Sequence, residues 1–102
     1  MQMQRMSDAI DSPAWGELDE WVSALPDCRR TVYVAWSVGR WHVSLYEHAC
    51  LPSHAIVASG DVYGGPDETL DQVVDRALQT VESSRATTRA RALAELRVLA
   101  GD

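Results

Sequence analysis

Apolar positions along this chain follow two periods, and the changes between them mark its elements. Leu18, Trp21, Val22 and Leu25 are spaced three, one and three apart, with Glu17, Asp19, Glu20 and Ser23 between them. That is the repeat of an amphipathic helix. Ser12 stands ready to cap it, Pro13 suits its first position because the missing N–H costs nothing there, and Pro26 stops it. From Val32 the period becomes two. Val32, Val34, Trp36 and Val38 alternate with Thr31, Tyr33, Ala35 and Ser37, and after Gly39-Arg40 the alternation resumes with Trp41, Val43 and Leu45. Two such runs across a short glycine turn predict a β-hairpin over 31–47. A type II′ turn at Gly39-Arg40 pairs Val38 with Trp41, Trp36 with Val43 and Val34 with Leu45. Every large apolar group then shares one face, with Trp36 and Trp41 as diagonal neighbours under a covering helix. The opposite face pairs Tyr33 with Tyr46, Ala35 with Ser44 and Ser37 with His42.

Residues 55–63 predict a third strand closed by Gly64-Gly65, read as a strand-to-helix turn with positive φ. Over 67–83 the residues Leu70, Val73, Val74, Ala77, Leu78 and Val81 form one stripe. Asp67, Glu68 and Asp71 occupy the expected first turn, where the helix dipole favours anions. The last segment, with Leu93, Leu96 and Leu99 or Ala100 as a weaker stripe, is a C-terminal helix or a continuation of the preceding one, ended by Gly101. The fold class is therefore α+β: an N-terminal helix, a three-stranded antiparallel sheet covered by helix 67–83, then a C-terminal helix. Residues 1–102 make one domain, with 1–11 a flexible N-terminal tail. The order of elements resembles the plan of double-stranded-RNA-binding domains. Such domains carry basic residues where the post-sheet helix begins, whereas Asp67, Glu68 and Asp71 stand here, so the resemblance ends at topology. Residues 40–81 also resemble HicB-type antitoxins in their succession of two strands, a turn and the helix "ETLDQVVDRAL", without the Pro-Asp and Pro-Gly pieces after the second strand.

Charge narrows the function classes. Fifteen acidic residues against nine basic ones, all arginine, give a net charge of −6 over 102 residues. Such a surface repels phosphate backbones, so direct nucleic-acid binding is not expected, while a protein partner with a basic surface is. No apolar run spans a bilayer and no secretory leader is evident, so a cytoplasmic, non-membrane protein is expected. Cys28 and Cys50 are then free thiols or small core residues.

Candidate chemistry is sparse. His42, His48 and His54 recur every six residues, and His48, Cys50 and His54 share one loop, but no zinc-type spacing accompanies them. Ser44 beside His42 lacks the elbow and oxyanion donors a serine nucleophile needs. Asp61 with Asp67 or Glu68 forms a candidate carboxylate pair. Glycines running into a helix start imitate a phosphate cradle, yet the first-turn carboxylates cancel its positive end. The strongest feature is an acidic stripe, Glu68, Asp71, Asp75 and Glu82, with Glu17, Asp19 and Glu20 as a second patch and Trp15 as an aromatic anchor. Arg85, Arg89, Arg91 and Arg97 segregate into the tail, which either folds back on the acidic surface or meets an acidic patch on a partner. The expectation is a non-enzymatic, cofactor-free and metal-free protein-binding domain, an inhibitor acting through the acidic face in the manner of an anti-defence, immunity or antitoxin protein. The alternatives are a homodimer-forming module and, second, an enzyme built around His48, Cys50 and Asp61.

Overall fold

The computed structural model describes residues 11–25, 29–49 and 55–101. Its elements are α1 (Ala14–Ser23), β1 (Arg30–Ser37), β2 (Arg40–His48), β3 (Ile56–Tyr63) and α2 (Leu70–Leu99). The strands form one antiparallel sheet in chain order, β1-β2-β3. Trp41, Val43, Leu45, Ala58 and Val62 point from its inner face into a core completed by Ala14, Leu18 and Trp21 of α1 and by Leu70, Val73, Val74, Ala77 and Val81 of α2. The two apolar periods read from the sequence thus meet in one layer between sheet and helices. Most of the expected N-terminal tail, together with Pro26, Cys28, Cys50 and His54, lies outside the described residues.

The Ser12 hydroxyl oxygen accepts from the Ala14 N–H at 3.2 Å, but Pro13, expected in the first helical position, is itself the N-cap, and α1 starts at Ala14. The start of α2 differs from expectation. Thr69 is the N-cap, and a reciprocal capping box links it to Gln72, so Asp67 and Glu68 precede the helix and only Asp71 lies in its first turn. The box satisfies two helix N–H groups locally, which fixes the boundary at Thr69.

The hairpin has its expected faces but a different register. Trp36 pairs with Trp41, Val34 with Val43 and Val32 with Leu45, while Ser44 lies opposite Tyr33 and His42 opposite Ala35. The two loop residues are Val38 and Gly39, at φ 53° and 72°. Two positive φ values belong to a type I′ turn, and a β-branched residue there is strained. Val38 is 94 % exposed. In compensation the Trp36 and Trp41 rings come directly opposite, with centroids 4.8 Å apart, a contact worth about 1 kcal/mol beyond its burial. The shift moves the pairing by two positions, so the paired side chains keep their faces, and only Val38, expected inward opposite Trp41, leaves the apolar face for the turn.

Gly64 and Gly65 do not have positive φ. Gly64 is required by close approach instead: a Cβ there would stand 2.6 Å from Val73 Cγ2 and 3.2 Å from the Trp41 carbonyl. Gly60 is tighter still, since its Cβ would meet the Ala77 carbonyl oxygen at 2.5 Å. These two glycines let α2 lie directly on β3 and the adjoining loop.

The C-terminal segment continues α2 as one 30-residue helix. The serine- and threonine-rich stretch that suggested a break is absorbed by hydroxyl donation one turn back: Thr80 to the Arg76 carbonyl at 2.7 Å, Thr87 to Ser83 at 3.1 Å and Thr88 to Ser84 at 3.0 Å. These hydroxyls are satisfied within the helix, so the stretch is tolerated at a small cost and does not end it. Gly101, at φ 84°, closes the end as expected.

Candidate functional site

Three places bring polar side chains together. The first is the outer face of the sheet. The β2–β3 register sets Ser44 opposite Asp61 and His42 opposite Tyr63. The Ser44 hydroxyl donates to Asp61 Oδ1, and His42 Nε2 meets the same oxygen at 2.5 Å. The His42 ring stacks on Tyr63 with centroids 4.0 Å apart and meets Tyr33 edge-on at 5.4 Å. A carboxylate oxygen only accepts, so Nε2 carries its proton toward Asp61 and is not a base for the Ser44 hydroxyl 3.0 Å away. Both protons converge on Asp61. A nucleophilic triad would instead place the acid and the serine on opposite ring nitrogens. Ser44 is also only 2 % exposed. The hydroxyl of Ser44, followed by His42, holds the Asp61 carboxyl below its ordinary range.

Of the second alternative, Cys50 lies outside the described residues, and His48 and Asp61 are not brought together. His48 lies opposite Ile56, four positions along β2 from the Ser44–Asp61 pair, and contacts Thr31 Oγ1 at 3.2 Å. Four strand residues separate it from Asp61 by about 13 Å. Asp61 is bonded to Ser44 and His42, and Glu68 to Arg76 and the Gly65 N–H. Among the described residues no group of three His, Cys, Asp or Glu side chains converges where a metal ion could sit.

The second place is the acidic stripe. Glu68 receives Arg76 Nη2 at 2.5 Å and Nε at 3.1 Å, and its Oε1 also accepts the Gly65 N–H at 2.7 Å. Asp71 turns toward α1, where its Oδ1 accepts from the Ser12 hydroxyl and from the Ala14 N–H at 3.2 Å. Arg85 Nη1 donates to both oxygens of Glu82 at 2.7 Å. Asp75 is exposed and, among the described residues, makes no hydrogen bond or ion pair. Glu17, Asp19 and Glu20 are exposed on α1. Trp15 is 40 % exposed beside them. The stripe exists in outline, but Glu68, Asp71 and Glu82 are engaged within the chain.

The third place is where α2 leaves the sheet. Glu47, buried on the inner face of β2, receives Arg30 at 3.1 Å and Arg85 at 2.6 Å. The Arg30 guanidinium also lies over the Trp21 ring at 4.6 Å and donates to the Trp21 carbonyl at 2.8 Å. Burial alone would raise the Glu47 carboxyl, but the bonds and charges of Arg85 and Arg30 outweigh it and hold the group low. Glu47 in turn raises the Arg85 guanidinium further. Sequence reading missed this cluster because its members are 17 and 38 positions apart. The one signal available was a glutamate on the apolar phase of β2.

Comparison with protein-family models, characterised proteins and solved structures finds no match to this chain. Beyond the Glu47 cluster α2 loses contact with the sheet. Val81 is its last buried residue, and Leu93, Leu96, Val98 and Leu99 are 51 to 84 % exposed. Arg89, Arg91 and Arg97 project from the same segment without ion pairs among the described residues. No described helix is both long and apolar enough to cross a membrane, α2 included. Of the tail arginines, Arg85 meets the acidic stripe at Glu82, while Arg89, Arg91 and Arg97 do not fold back on it.

Proposed function

We propose that this chain is a non-catalytic protein-interaction domain in which a small α+β body holds out the C-terminal half of α2 as the contact element. One observation carries the reading: an unbroken helix runs more than four turns past its last core residue with leucines and unpaired arginines on its surface. Clustered exposed apolar side chains on a small chain mark interaction surfaces, and an amphipathic helix presents such anchors one turn apart. The acidic face is a weaker contact candidate, because Glu68, Asp71 and Glu82 already have partners in the chain and Asp75 alone of the four remains outward and unpaired. The outer sheet face lacks an activated nucleophile, which favours binding over hydrolysis.

The test is capture from cell lysate on the immobilised chain and on a Leu93→Glu, Leu96→Glu variant, both shown by circular dichroism to be folded. Retention of a stoichiometric protein, this chain included, by the first and not by the second is the expected result. Equal retention by both, or by neither, overturns the reading.

A further inference from the structure

The continuity of α2 places opposite charges at its two ends on one outward face. Asp75, Gln79 and Glu82 are followed at alternating spacings of three and four by Ala86, Arg89, Leu93 and Leu96, and every one of them is exposed. This is the heptad spacing of helices that pair along a seam. Its first half contributes acid and its second half arginine and leucine. Across the whole helix, Asp71, Asp75 and Glu82 against Arg76 give way to Arg85, Arg89, Arg91 and Arg97 against Glu95.

We infer that the partner of this face is a second copy of the chain, with the two α2 helices paired antiparallel about a two-fold axis near Ala86. This deepens the interaction reading above and rests on it. With the axis at Ala86, Asp75 of one copy faces Arg97 of the other, Gln79 faces Leu93, and Glu82 lies beside Arg89. Each contact occurs twice, as two-fold symmetry demands. A parallel pair would set Asp75 against Asp75 and Arg89 against Arg89, and like charges disfavour it. Small Ala86 and Ala90 at the centre let the helices approach closely. The bidentate Glu82–Arg85 pair is an exposed contact of low worth and yields to an intermolecular one at little cost.

Area supports pairing over the whole helix and not the tail alone. Thirty residues of helix are about 45 Å long. With the axis at Ala86 the overlap runs over residues 73–99, about 40 Å, and a strip of that length about 10 Å wide on each copy buries about 800 Å² in total, the size of a weak, concentration-dependent interface. Pairing the leucine-bearing half alone would bury about half as much. The seam lies on the side of α2 away from the sheet, so both bodies remain outside it.

Light scattering of the full chain after size exclusion, across the micromolar range, reads the mass directly. The expected value rises to twice 11.3 kDa and falls back as salt is added. Asp75→Arg alone and Arg97→Asp alone each raise the dimer dissociation constant about tenfold, and the double variant restores it to within about threefold. Leu93→Glu removes the dimer while leaving the helical signal of the body. A monomer at every concentration overturns self-pairing, and so does a double variant no better than the singles. A monomeric chain that still retains a different protein through Leu93 and Leu96 overturns self-pairing and leaves the interaction reading standing.

Discussion

Residues 70–81 and residues 86–99 of α2 belong to one helix, but different forces hold them. The first half buries Leu70, Val73, Val74, Ala77 and Val81 on the sheet, at a distance set by Gly60 and Gly64. The second half buries nothing and is supported by alanine and arginine propensity and by the Glu82–Arg85 pair just before it. A free helix of about 14 residues is marginal in water. The second half is therefore nucleated by the first, and only a partner adds tertiary stabilisation to it. Tertiary packing decides where a helix is anchored, and local chemistry decides how far it runs.

The largest expected effect breaks the packed half. Gly60→Val drives side-chain atoms into the Ala77 carbonyl, so α2 must lift from β3. A loss of about 3 kcal/mol or more in urea unfolding is expected. A loss under about 1 kcal/mol would mean the helix does not rest on β3 as described.

Next comes the boundary. Glu47→Gln leaves the nearly buried Arg30 with a neutral neighbour, and about 2 kcal/mol should be lost at neutral pH, part of the full penalty because Arg85 is partly solvated. Its pH signature has a definite sign. The folded-state carboxyl is held below the 4.5 of an ordinary glutamate, so its contribution is complete above that value and disappears as pH falls through the lower folded one. Acid titration should show the wild-type chain losing stability below pH 4.5 more steeply than Glu47→Gln. Parallel curves would remove Glu47 from the account.

The smallest effect lies in the tail. Ala90→Gly costs about 1 kcal/mol of local helix, which should lower the ellipticity at 222 nm while the urea midpoint of the body stays put. A matching shift of the midpoint would show the two halves unfolding as one.

Much of the fold was legible because its signals are local. The apolar alternation of Val32 to Leu45 placed the inward residues correctly except Val38, which the error of two in hairpin register moves from the apolar face into the turn. The observed register sets Trp36 opposite Trp41 and leaves Val38 in a conformation its branched side chain disfavours. The candidate site was less legible. Glu68, Asp71 and Glu82 read as outward acids because spacing reports a direction on a helix and not what stands opposite. Arg76, the first turn of α1 and Arg85 stand opposite them. Asp61 was matched with neighbours in sequence, while its actual partner, Ser44, is fixed by the pairing of β2 with β3, 17 positions apart.

One bond has a bearing on synthesis. The Ala14 N–H at the first turn of α1 is accepted by Asp71, 57 residues further along. A nascent chain shorter than that has α1 without its acceptor and without Val73 and Val74 beneath the sheet. The contact between α1 and α2 is therefore available only once translation has delivered the start of α2, whereas the contact between α1 and β1 joins neighbours in sequence.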